Sequence, residues 1–236
     1  MRPIALARLL QLSSQALPIG GYSHSHGLEA AIDQAVVMDE ASLLRWIADV
    51  LEFSMQSFEI PSMLSMTAAW ARRDPGAIEA LNQEFLSTRE SAEIRAAAVQ
   101  MGFSLRSLVS ILPDFTTDAV DTLRSIHEPS LPCVWSAATT AWEIERRESV
   151  MGYLWAWAEN QVLVAMKAVP IGQSAGQRVL LAMGSRIADV AADLQPHGSF
   201  TDGIGENSGD DDSNFSPGLA ILSSQHETQY SRLFRS

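Results

Sequence analysis

Two histidines two residues apart are the first candidates for chemistry. His24 and His26 lie in the segment LPIGGYSHSHGLE, residues 17–29. An extended His-x-His stretch can bring both imidazoles to one cation, and imidazole suits zinc, copper and nickel. No third ligand stands nearby in the sequence, so a capped polar loop is the competing reading. Pro18, Gly20 and Gly21 force an irregular turn, and Ser23 or Ser25 can cap the helix that carries Leu28 and Glu29. The segment lacks the Walker spacing and its lysine, which argues against a phosphate cradle.

A second polar group interrupts an apolar stretch. Glu159, Asn160 and Gln161 precede Lys167, and then PIGQSAGQR fills residues 170–178. Polar groups on a buried helix are costly unless paired. Eight residues separate Glu159 from Lys167, more than two helical turns, so Lys167 needs a carboxylate on another helix. Glu29 is the expected partner. The pair reads either as a polar switch inside the bundle or as a structural ion pair. Gly172 and Gly176 give a flexible turn or a close helix approach.

The third candidate is the C-terminus, where Tyr230, Arg232, Leu233, Phe234 and Arg235 combine aromatic, apolar and arginine side chains, a mixture enriched in interfaces. Such a tail either orders on a partner or folds back on its own chain. No catalytic constellation accompanies these groups. Cys133 has no nucleophile context, and no serine sits in a Gly-x-Ser-x-Gly elbow. Glu143 and Glu145 read as a solvated helix face. Asp210, Asp211 and Asp212 lack EF-hand spacing.

The elements that must position these groups are helical. Asp39 caps a helix with Leu43, Leu44, Ile47, Val50, Leu51 and Phe58 on one face, and Pro61 is expected to end or kink it. Asp74 and Pro75 open the next, and a long amphipath runs over 91–111 until Pro113. A short helix follows near 118–126. Three more are expected near 133–145, 149–169 and 174–194. The 149–169 segment is apolar on nearly every side, the mark of a buried central helix. No segment alternates apolar and polar residues as a strand does. The fold class is all-α: one helical bundle over 1–194, a flexible Gly/Ser/Asp-rich loop over 195–217, and a mobile tail segment over 218–236 that binds a partner.

Composition sets the outer limits. The 236 residues carry a net charge of −12, which disfavours nucleic acid. Fifteen of the sixteen basic residues are arginine; Lys167 is the one lysine. A single cysteine excludes an internal disulfide, and a cytoplasmic location is the default. The apolar stretch 150–171 contains Glu159, Asn160, Gln161 and Lys167, so no membrane span is expected.

At these same three places the chain resembles the urease accessory protein F family (UreF). Residues 9–12 lead into 17–29 as in the family's Leu-Pro-x-Gly-x-aromatic-Ser-x-Ser-x-Gly-Leu-Glu pattern. Residues 153–161 with 167–178, and the terminal HETQYSRLFRS of 226–236, complete the likeness. The resemblance implies an all-α, non-catalytic cytoplasmic chaperone without a tightly bound cofactor. It further implies a homodimer within a larger complex, formed with urease accessory protein D (H in some organisms) and the GTPase urease accessory protein G on apo-urease. GTP hydrolysis there is coupled to nickel insertion, and nickel is handled transiently. Gly27, Leu28, Glu29 and Lys167 then form a functional polar centre, and Tyr230, Arg232, Leu233, Phe234 and Arg235 bind the partner. His24 stands where the family is often aromatic, so a nickel role for His24 and His26 rests on the residues alone. The alternative from another class is a stand-alone helical protein that sequesters nickel. A small all-α enzyme would have to use Glu29 with Lys167.

Overall fold

The structure, a computed structural model, describes residues 1–194 and 216–235. Among these residues there is no strand, and no helix is long and apolar enough to cross a membrane. The expected loop over 195–217 lies outside the described residues up to 215.

Helix boundaries follow the caps written in the chain. Helix α1 (Pro3–Leu12) starts on proline, where the missing N–H costs nothing. A 3-10 turn (Gly21–Ser23) leads to α2 (Leu28–Asp33). Asp39 caps α3 (Glu40–Val50) by accepting from Ser42 N, and Ser42 Oγ accepts from Asp39 N in return. Asp74, Ser91, Thr116 and Ser130 cap α5 (Pro75–Ser87), α6 (Ala92–Val109), α7 (Thr117–Ser125) and α8 (Leu131–Ala141). Then come α9 (Arg146–Ala168), α10 (Gln173–Ala192) and α11 (Pro217–His226).

Pro61 does not end its helix. A π-helical segment (Leu51–Glu59) follows α3 and runs directly into α4 (Ile60–Arg72), so helical backbone continues past the proline. Ile60 N–H donates to Met55 O, five residues back. This wider register carries the chain up to a proline that has no N–H to give. Glu143 and Glu145 are not on a helix face. Helix α8 stops at Ala141 because Glu143 turns left-handed (φ +51°), and Ile144 N–H closes onto Thr139 O at 2.9 Å. That is a Schellman ending, and it turns Ile144 inward.

The bundle has two packed groups. Helix α8 lies between α4 and α6, with every residue from Pro132 to Thr139 buried. Helix α9 is the hub of the second group and packs on α1, α2, α3 and α10, while Met151 and Trp155 keep its outer edge open. Trp135 and Tyr153 join the two groups edge to face, centroids 5.2 Å apart. Gly176 allows α10 close to α9, since a Cβ there would stand 2.7 Å from Met166 Sδ. Cys133 is fully buried in α8, and burial pushes its thiol up to about 12. It is an inert core residue.

Candidate functional site

The N-terminal loop and the C-terminal tail meet on a single carboxylate. Gly27, left-handed at φ +82°, turns the chain into α2, and Glu29 then points inward in its first turn at 5% exposure. Three donors fill this buried carboxylate. His226 Nε2 lies 3.0 Å from Oε2, Leu233 N–H donates to Oε1 at 2.6 Å, and Phe234 N–H donates to Oε2 at 3.0 Å. All three come from the chain's last residues.

His226 extends the cluster. Its Nδ1 lies 2.6 Å from Glu93 Oε2, while Arg232 donates to Glu93 Oε1 at 2.7 Å. The ring thus bridges two carboxylates, one at each nitrogen. Glu93 also lies in the first turn of α6, where the helix dipole favours an acid. The same helix end takes further bonds from the tail. Ser91 and Ser223 hydroxyls meet at 2.6 Å, and Ala92 N–H donates to Glu227 Oε1 at 3.0 Å.

Helix α11 rests against Gly27. A Cβ at Gly27 would stand 3.0 Å from Leu219 Cδ1 and 3.7 Å from Ser223 N, so the glycine serves both a left-handed turn and a close approach. The tail then returns to the loop, where Arg235 N–H donates to Ser23 O at 2.8 Å.

Helix α9 grips the loop from the other side. Asn160 Nδ2 donates to His24 O at 2.9 Å and Gln161 Nε2 to Ser25 O at 3.1 Å. Trp46 Nε1 holds Gln161 Oε1 at 3.3 Å. The polar residues that interrupt α9 therefore clamp loop backbone.

The expected Glu29–Lys167 pair does not form. Lys167 is exposed near the end of α9, and its Nζ stands 5.6 Å from the Phe234 ring centroid, a cation–π contact. The His226 ring and two tail N–H groups occupy Glu29 instead. Gly27, Leu28 and Glu29 do cluster, with Leu28 fully buried. Of the tail residues, Phe234 is buried and Arg232 is bound to Glu93. Tyr230 and Leu233 project into solvent at 105% and 70% exposure.

His24 is buried and His26 half-buried, with ring centroids 6.2 Å apart. Desolvation, then His26, then Arg235 lower His24 to about 4. Desolvation and the Arg89 charge lower His26 to about 4. Both rings are neutral at pH 7. Among the described residues no group of three His, Cys, Asp or Glu is arranged to hold a metal.

Sequence reasoning did not find His226 and Glu93 as members of this cluster. Glu93 carries one faint signal, an acid in the first turn after a serine cap. His226 carries none until the tail is folded back.

The class defined by fold and site is an all-helical protein whose buried polar residues tie both terminal segments to the bundle. The UreF family model matches residues 37–184. The chain is 49% identical to the urease accessory protein UreF of Dechloromonas aromatica (strain RCB), covering 99% of this chain and 98% of that protein. It is 46% identical to the urease accessory protein UreF of Azoarcus sp. (strain BH72), covering 99% and 96%. For that of Janthinobacterium sp. (strain Marseille) the identity is 43%, with both chains covered completely. The chain belongs to the UreF family of urease accessory proteins.

Replacing Glu29 by Ala strands the buried His226 ring and the N–H groups of Leu233 and Phe234. A buried donor left without an acceptor costs about 1–3 kcal/mol, and undocking the tail is the way to rehydrate those donors. Glu29→Ala should therefore abolish hydrogen-exchange protection at the Leu233 and Phe234 amides. Trypsin should cut after Arg232 while the bundle stays folded; a tail as protected as in the parent would contradict the assignment.

The two lowered histidines set a pH dependence. Unfolded histidine titrates near 6.5, and each folded ring near 4. Between these values the unfolded chain binds more protons, so stability is full above about 6.5 and falls as pH drops towards 4. On going from pH 7 to pH 5, a His24→Gln/His26→Gln variant should lose less Tm than the parent. Equal losses would show that neither ring is held neutral.

Proposed function

We propose that this protein is a non-catalytic, cytoplasmic accessory protein of urease maturation. In this reading it works through contacts with D(H)-type and G-type accessory proteins on apo-urease, as a homodimer within that assembly. It regulates the GTPase during GTP-dependent nickel insertion. Membership of the UreF family and the chain's likeness to urease accessory proteins support the urease assignment.

The observation that carries the contact role is the tail. It is anchored by buried backbone and by Phe234, while Tyr230 and Leu233 are left facing solvent on an otherwise acidic protein. An anchored segment displaying an aromatic and an aliphatic side chain loses little conformational entropy on binding. The net charge of −12 favours a partner with a basic face, which speeds encounter more than it tightens the complex. Because the tail, the His24 loop and α6 share one hydrogen-bonded cluster, a partner that seizes the tail also acts on the loop.

The test is co-expression with the matching D-type and G-type proteins, with complex mass read by light scattering on a sizing column. Tyr230→Ala/Leu233→Ala changes only exposed side chains. It should keep the parent Tm and weaken the complex at least about tenfold, the effect of losing about 1.4 kcal/mol. A complex of unchanged affinity would remove the tail from the interface. In the same reading nickel is cargo, and we assign His24 and His26 as the imidazole donors this chain offers it, both already in the neutral form a metal requires. His24→Ala/His26→Ala should weaken nickel binding in a titration; unchanged binding would take the metal away from this loop.

A further inference from the structure

A second buried polar group lies apart from the Glu29 cluster, beneath the N-terminal loop. Arg89 follows α5 and its side chain is only 5% exposed. One end of its guanidinium is satisfied, since Nη1 donates to Glu59 Oε2 at 3.0 Å. Tyr153 OH donates to the other oxygen of Glu59. The plane lies against two rings, with its carbon 4.1 Å from the Phe85 centroid and 5.1 Å from that of Phe58.

The other edge is unsatisfied. Nε and Nη2 are buried and have no acceptor among the described residues. Asn160 Oδ1 is in the same condition, because its amide nitrogen is committed to His24 O. Buried donors without partners are rare in folded proteins, and each one costs desolvation energy. Arg89 and Asn160 both line one cavity of about 110 Å³. Its remaining wall includes Phe85, Met101, Trp135 and Trp157, and the exposed Gln15 and Tyr22 stand at its rim. The cavity is thus an apolar, partly aromatic chamber with a hydrogen-bonding edge set into one wall.

That edge selects the ligand. The Nε–H and Nη2–H of an arginine point in parallel and match the two oxygens of a carboxylate. A single carbonyl oxygen meets the two only through bent, bifurcated bonds and brings no charge. Glu59 cannot reach round to this side while it holds Nη1 and the Tyr153 hydroxyl. We infer that this cavity is a binding site for a small monocarboxylate with a planar, apolar body, held side-on by Arg89 with its ring among Phe85, Trp135 and Trp157. No tail residue lines this cavity, although His26 of the loop and Glu59 stand in its wall.

Benzoate is the probe, and benzamide, of the same shape but uncharged and with one oxygen, is the control. Binding to the full-length protein is followed by isothermal titration and by tryptophan fluorescence. Benzoate should saturate one site and bind at least about tenfold more tightly than benzamide. Arg89→Lys keeps the positive charge but removes the parallel edge, and should abolish that preference. Ala98→Leu fills the chamber from its α6 wall, and should abolish binding of both probes. Circular dichroism and Tm confirm that each variant is folded. Equal affinity for the two probes would reduce the site to an apolar cavity. Benzoate binding that survives Arg89→Lys would place the anion elsewhere, and no saturable binding would leave Arg89 hydrated and structural. Each of these results overturns the inference.

Discussion

A carboxylate removed from water must find donors, and among the described residues those of Glu29 all lie at the far end of the chain. The bond to His226 spans 197 positions of sequence. An unpaired buried carboxylate is among the least tolerable features a fold can hold. The inward turn at Gly27 therefore makes sense only with the tail in place. The dependence runs the other way as well. The N–H groups of Leu233 and Phe234 belong to irregular backbone, which has no helix to absorb them, and Glu29 is what lets that backbone come inside. Loop and tail are two halves of one element.

Other contacts extend this element across the bundle. Asn160 and Gln161 fix the loop carbonyls from α9, while Ser91, Ala92 and Glu93 fix the tail from α6. The loop thus sits between the central helix and the C-terminus, held by polar bonds on both sides. Apolar packing alone tolerates sliding, but hydrogen bonds with buried acceptors define register. A displacement of the tail is therefore felt at residues 23–29.

The helices were legible in the sequence because their ends carry their own chemistry. Asp39, Asp74 and Ser91 each accept from an N–H of the following turn, a local bond that needs no tertiary partner. The π segment was not legible, since Pro61 advertises a break and the wider register that accommodates it has no residue signature. The candidate site was half legible. Glu29, Asn160 and Gln161 stood out as polar residues in apolar surroundings. The pairing of Glu29 with Lys167 was wrong because a sequence displays charged side chains and hides backbone donors. Two N–H groups and a histidine outcompeted the lysine, whose four-carbon stem lets its head remain in water above Phe234.

The preference for arginine over lysine fits this architecture. Fifteen of sixteen cations are arginine, and several of them join elements distant in sequence. Arg95 forks onto both oxygens of Glu128 and Arg178 onto those of Glu40, while Arg106 Nη1 alone donates to the carbonyls of Leu123 and Ile126. A planar fork loses less freedom per bond than an ammonium on a flexible stem, and it remains charged when desolvated. That second property separates the two buried centres. At Glu29 the acid is the fixed charge, and the tail brings donors to it. At Arg89 the cation is the fixed charge, Glu59 meets one edge, and the π segment that ends at Glu59 also lays Phe58 beneath it. The first centre is closed by the chain's own C-terminus. The second keeps an edge towards a chamber, and among the described residues no acceptor meets it.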